Sequence, residues 1–239
     1  MPIANQMIKM VKGMEMVKKM FEEGARLKAQ HGPDRVFDFS LGNPDVPPPP
    51  EFKKVLSELV ADKSLGHGYT PNNGYPHVRQ AVADYLSGVH DVKLAPDFIV
   101  MTVGAAGALN DALNAVIDPG EELLVPAPYF IGYDHYAFIA KATIKTVPSD
   151  SNFHLDTSAI ASAITEKTRV MLINSPNNPT GVADPPELIE SILDSVETYG
   201  GLLVVDEAYG EFSRVPSALT LLAQHDNLVV LRTLSKAYA

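Results

Sequence analysis

The chain has 239 residues, 46% hydrophobic and 20% charged, with a mean hydropathy of +0.01. That is the composition of a folded globular protein, neither disordered nor fibrous. Nineteen Lys and Arg against 29 Asp and Glu leave a net charge of −10, which disfavours a nucleic-acid backbone as partner. With no cysteine, disulfides, thiolate metal sites and cysteine nucleophiles are excluded. The seven histidines are scattered, and none pairs with another at the spacing of a helical metal site, so no metal is expected.

In chain order, the Met-rich segment from Met1 to Phe21 comes first. Lys9, Lys12, Glu15, Lys18 and Lys19 interrupt it at every turn, leaving no apolar core for a secretion signal or a membrane span. The pattern predicts an amphipathic helix with Met7, Val11, Met14 and Val17 on one face, and a cytoplasmic protein. The run Pro47–Pro50 must be extended, and it separates an N-terminal helix and arm (residues 1–50) from one large domain (residues 51–239). A helix is expected from near Glu51, with Phe52, Val55, Leu56 and Leu59 as its apolar stripe. A turn-rich stretch, Gly66 to Gly74, precedes a second helix marked by Val78, Val82, Tyr85 and Leu86.

From Phe98 the texture changes. Apolar runs at Phe98–Val103, Glu122–Val125, Thr143–Val147, Val170–Ile173, Leu202–Val205 and Leu228–Leu231 read as strands. Helices at Leu109–Ile117, Ser158–Ile164, Leu188–Val196 and Ala218–Gln224 lie between them. Runs that are apolar throughout, not at alternate residues, suit strands covered on both faces. The expected fold is therefore α/β, a three-layer α/β/α sandwich around a mostly parallel sheet.

Ligands of such sheets bind beyond the carboxyl ends of the strands. The polar residues placed there are Gly104-Ala105-Ala106-Gly107, the loop Asn174 to Gly181, Asp206-Glu207-Ala208-Tyr209 and Arg232-Thr233-Leu234-Ser235-Lys236. Small residues between a strand and a helix leave free N–H groups at the positive end of a helix dipole, suited to a phosphate. Glu121 and Glu122 lie at the distance of a dinucleotide ribose contact. The three-glycine fingerprint is missing, however, and the second strand ends in Pro126, which argues against a nicotinamide oxidoreductase. Asp206 follows four apolar residues, and a carboxylate at the edge of a low-dielectric core can hold a heterocyclic nitrogen protonated. Tyr209 can donate into the same space. Lys236 follows a strand, where burial or a neighbouring cation would make its amine nucleophilic toward a carbonyl. A phosphate turn, a pyridine-pairing acid and a Schiff-base amine are jointly what pyridoxal phosphate requires.

The segments Ser175-Pro176-Asn177-Asn178-Pro179-Thr180-Gly181, Val205-Asp206-Glu207-Ala208-Tyr209 and Thr233-Leu234-Ser235-Lys236 resemble the signatures of class I/II aminotransferases, fold-type I pyridoxal-phosphate enzymes. Matching segments run in family order from about Gly42 to Lys236. The resemblance implies that Lys236 condenses with the cofactor's aldehyde and shuttles a proton at the substrate Cα, while Asp206 pairs with the pyridine nitrogen. It further implies that Asn178 and Tyr209 bond the ring hydroxyl and that Tyr129 stacks on the ring. The phosphate would lie in the Gly104 turn, on the backbone of Ala105 and Ala106 and the hydroxyl of Thr233 or Ser235. Gly42 resembles a substrate-side loop. Tyr69 resembles a tyrosine that reaches the phosphate of a neighbouring subunit, implying a homodimer.

The implied activity is transfer of an amino group between an amino acid and a 2-oxo acid, in residues 51–239 as the cofactor-binding large domain. A lyase or decarboxylase of the same fold is the alternative. An aminotransferase-like ligand sensor is a further one, although the segment before Arg35 is too short for a helix-turn-helix module. Family members continue beyond Lys236 into an arginine-containing phosphate loop, a further strand and a C-terminal small domain. The chain is therefore expected to be a fragment, inactive in isolation, whose sheet leaves two strand edges unpaired.

Overall fold

The computed structural model describes the chain except Met1, Met14, Ser40, Leu41, Asn43, Asp45, Leu65, His67 and Ala239, and except the side chains of Gln6, Lys9, Lys12, Gly13, Glu15, Met16 and Val17. Met14 and the side chain of Val17, expected on the N-terminal apolar face, therefore lie outside the described residues, as do Leu41 and Asn43 beside Gly42. The chain divides into two units, Met1–Pro47 and Pro48–Ala239.

In the first unit, α1 (Asn5–Gly13) and α2 (Glu15–His31) cover the expected helix and extend it by ten residues beyond Phe21. Met7 and Val11 are exposed. Lys28 of α2 pairs with Asp38 at 2.7 Å, tying the helix to the extended segment behind it.

The second unit opens with α3 (Pro50–Ala61), where the fixed φ of Pro50 suits a helix's first turn. Its expected stripe of Phe52, Val55, Leu56 and Leu59 is about half exposed. Next come α4 (Pro76–His90) and α5 (Gly104–Val116). Then β1 (Glu122–Ala127), α6 (Gly132–Ile139), β2 (Thr143–Pro148), α7 (Thr157–Ala163), β3 (Thr168–Asn174), α8 (Pro186–Glu197), β4 (Leu202–Asp206) and β5 (Leu228–Leu231) follow in turn. The strands form one parallel sheet in the order β2-β1-β3-β4-β5.

Strand residues alternate between two cores. Leu124, Met171, Ile173, Leu203 and Val205 pack with Ile160 of α7 and Ile189, Ile192, Leu193 and Val196 of α8. Leu123, Val125, Val170, Leu172 and Val204 pack with Leu109 and Leu113 of α5 and Tyr133 and Ala137 of α6. Two buried faces explain why the runs are apolar at every position. Each of these side chains contributes about 1.5–3 kcal/mol by leaving water.

Three expectations are corrected. Phe98–Val103 is not a strand. After a short 3₁₀ turn (Pro96–Phe98) it runs extended, with Met101 N–H bonded to the Asn73 carbonyl and with Phe98, Val100 and Val103 exposed. Among the described residues no strand lies alongside it, and an extended segment without a ladder partner is not part of a sheet. The expected helix Ala218–Gln224 is a single 3₁₀ turn, Ala218–Leu221, capped at its start by Ser217 and Glu207, and it is short because the chain must reach β5 by Leu228. Finally, α6 was not anticipated: Gly132 and the closely spaced aromatics conceal the helical period, and only Tyr133 and Ala137 are buried in it.

Candidate active site

Three strand ends lie level in the sheet: Asn174 pairs with Asp206, and Asp206 with Leu231. The loops that follow thus leave one edge. Asn174 fastens two of them, its side-chain amide donating to the Asp206 carbonyl at 2.8 Å and its oxygen accepting the Asn178 N–H at 2.6 Å. Asn177 ties the same loop to β1's end, donating to the Pro128 carbonyl at 3.2 Å. Asn174 is buried, and its role was not visible in the sequence beyond its place after a strand.

The Asp206 side chain is buried, and its Oδ2 accepts from the Tyr133 hydroxyl at 2.8 Å while Oδ1 accepts from the Ala208 N–H at 3.0 Å. Burial pushes this carboxyl above its usual range, and the two hydrogen bonds pull in the opposite direction. The Tyr133 phenol is driven far above the ordinary value by burial and by the neighbouring Asp206 charge, so it remains a proton donor. Sequence reasoning missed Tyr133; its position four residues after Tyr129 was the available signal. Tyr129 itself is half-buried. Its ring lies parallel to Tyr133 at 6.3 Å, and its hydroxyl donates to Asp134 at 3.0 Å.

The Lys236 amine stands 5.5 Å from the centre of the Tyr209 ring and is half-buried, with no hydrogen bond among the described residues. The Tyr209 hydroxyl and the Asn178 side-chain amide likewise lack hydrogen bonds among the described residues. An acid, a phenol, an amide and an amine, the last three without a side-chain hydrogen bond among the described residues, are therefore carried on adjoining loops.

At the start of α5, Gly104 has φ +65°, a left-handed conformation that favours glycine. Val103 supplies no capping oxygen, and the Gly104 N–H donates to the Thr102 carbonyl at 2.9 Å, which leaves the N–H groups of Ala105 and Ala106 as first-turn donors without carbonyl partners within the helix. A Cβ at Gly104 would lie 3.4 Å from the Thr233 hydroxyl, which is in turn 2.9 Å from the Ser235 hydroxyl. The helix start and the β5 loop thus face one another across a small gap. The donor set fits a phosphate: amide N–H groups, two hydroxyls and the positive end of a helix.

The Tyr69 side chain is fully exposed. Gly42 belongs to the first unit and is exposed, with open space where a Cβ would sit. Among the described residues no helix is long and apolar enough to cross a membrane.

The family described as aminotransferase class I and II matches residues 34–239. A histidinol-phosphate aminotransferase of Leuconostoc mesenteroides is 36% identical over 215 residues, covering 89% of this chain and 57% of that protein. An aspartate aminotransferase of Pyrococcus horikoshii is 29% identical over 198 residues, covering 82% of this chain and 49% of its own. The crystal structure of an amino transferase from Eubacterium rectale superposes with a TM-score of 0.88 at 32% identity, over 98% of this chain and 62% of that one. The chain spans about half the length of these curated relatives.

Proposed function

The chain belongs to the class I and II aminotransferases, and from that membership we propose that it carries the cofactor-binding half of a pyridoxal-phosphate-dependent aminotransferase. Its substrates are an amino acid and a 2-oxo acid. One observation carries the reading: buried Asp206 and unpartnered Lys236 leave adjacent strand ends on the same edge of the sheet, with Tyr209 beside the lysine.

When bound, pyridoxal phosphate supplies an electron sink for the substrate's Cα electrons. The residues of the chain do the rest. Lys236 Nζ would hold the cofactor through its aldehyde, water leaving as the bond forms, and its amine is the group that would carry a proton to and from the substrate Cα. Asp206 holds a proton on the pyridine nitrogen, and Tyr133 fixes the orientation of that carboxylate. Tyr209 and Asn178 offer their free polar groups to the ring hydroxyl, and Tyr129 offers its ring face. Gly104, the N–H groups of Ala105 and Ala106, and the hydroxyls of Thr233 and Ser235 hold the phosphate. Fully exposed Tyr69 is available to a second copy, in a homodimer whose partner reaches the phosphate, and the resemblance of the segment around Gly42 assigns that residue to the substrate-side loop. The location is cytoplasmic.

The test is chemical. After incubation with pyridoxal 5′-phosphate and borohydride reduction, peptide mapping should find the label on Lys236, and Lys236→Ala should abolish it. A label elsewhere, or none, overturns the reading. Amino-group transfer to a 2-oxo acid, assayed beside the release of ammonia or carbon dioxide, separates transamination from lyase chemistry.

A further inference from the structure

A second buried cluster adjoins the site and none of the roles above uses it. Glu207 directly follows Asp206 and is 4% exposed. Its Oε2 accepts from Arg232 Nη1 at 2.6 Å and from the Ser217 hydroxyl at 2.6 Å, while its Oε1 accepts from the Ala218 N–H at 2.7 Å. Arg232 directly follows β5, and its Nη2 donates to Glu211 at 2.6 Å. The guanidinium lies against the backbone of the β4 loop: a Cβ at Gly210 would come within 3.1–3.3 Å of it. One cation thus bridges two carboxylates on the loop after β4 from a position one residue before Thr233 and four before Lys236.

Burying Glu207, with Arg232 and Glu211 partly buried beside it, is a poor way to gain stability, because the desolvation cost offsets most of the attraction. What such a pair supplies is direction, since a guanidinium donating along two axes to two fixed carboxylates permits one arrangement of the loops. We infer that Glu207 and Arg232 are positioning residues, locking the loop that carries Asp206 and Tyr209 to the loop that carries Thr233, Ser235 and Lys236, so that acid and amine are registered before any ligand arrives. The assignment of purpose rests on the cofactor reading above; the lock itself does not. Gly210 is part of the device, because a side chain there would press the guanidinium aside by a few tenths of an ångström.

The test compares Arg232→Met, Arg232→Lys and Gly210→Ala with the parent chain. In the cofactor-free protein, hydrogen exchange in Arg232→Met should rise at least about tenfold in peptides spanning 203–211 and 229–238 together, with peptides of β1 and β2 unchanged. Gly210→Ala, which displaces the guanidinium without removing a charge, should give the same paired signature more weakly. It also serves if the Met variant does not fold. With pyridoxal phosphate added, the pH midpoint of the visible absorbance should move by about half a unit or more in Arg232→Met and return toward the parent in Arg232→Lys. Exchange that rises in one segment only, or evenly throughout the chain, overturns the lock. An unmoved midpoint beside a paired rise in exchange overturns the positioning role and leaves a fold brace. If the parent chain takes no cofactor at Lys236, the preceding section's reading falls, while the exchange measurement still decides the lock.

Discussion

The hydroxyl of Tyr133, on α6, donates to Oδ2 of Asp206, at the end of β4, across 2.8 Å and 73 residues of sequence. The bond is buried from both sides, so neither partner has water to replace the other. It joins the α6 layer to the candidate acid, and its removal leaves Asp206 with the Ala208 N–H alone.

Tyr133→Phe should therefore cost about 1–3 kcal/mol of stability, the penalty of an unsatisfied buried acceptor. Tyr129→Phe removes a bond to exposed Asp134 and should cost less than about 1 kcal/mol. Urea unfolding of the two variants checks the order, and equal losses would contradict it.

Stability should also depend on pH through Asp206 and Glu207. Burial raises both carboxyls above their unfolded values, so the folded state binds more protons than the unfolded one in the interval between the two pKa values. Their contribution is thus fully present below the ordinary carboxylate range and declines as pH rises through the raised folded values. Asp206→Asn removes one of these titrations. Relative to the parent, its unfolding free energy should improve as pH rises above about 4. Urea titrations across the mildly acidic range read this directly, and a parallel pair of curves would refute it.

Gly104→Ala places a methyl group on a backbone with φ +65°, 3.4 Å from the Thr233 hydroxyl. Stability should fall by about 1 kcal/mol from the left-handed conformation. Affinity for pyridoxal phosphate should fall about tenfold, the worth of one charge-assisted hydrogen bond. Unfolding measurements and equilibrium dialysis separate the two effects.

The extended segment from Phe98 to Val103 exposes Phe98, Val100 and Val103 by 81, 62 and 91%. An unpaired apolar segment is an adhesive edge. Val100→Lys should reduce self-association in light scattering while changing stability by less than about 0.5 kcal/mol, since the site is exposed. Unchanged association would show that another surface is responsible.

The inner strands β1, β3 and β4 were legible because burial on two faces makes nearly every position apolar, a pattern that needs no knowledge of neighbours; edge strand β2, with Val147 alone buried, was legible only from its β-branched residues. Phe98–Val103 has the same pattern but no strand beside it, and composition does not report whether a partner exists. Asp206, Asn178, Tyr209 and Lys236 were legible as polar groups stationed where apolar runs stop. The roles of Tyr133, Asn174, Glu207 and Arg232 were not, although the last three stand at the same strand ends, because each acts through a partner far along the chain. A tyrosine in a helix, or an arginine after a strand, looks the same with or without that partner. What the linear order determined is the layered sheet and the edge at which chemistry collects, since both follow from local periodicity and from the direction of parallel strands. What the tertiary structure alone decided is which side chains orient that edge: Tyr133 on Asp206, and Arg232 between Glu207 and Glu211. Hydrogen bonds and ion pairs act over a few ångströms, and only folding brings groups from different segments of the chain within that distance.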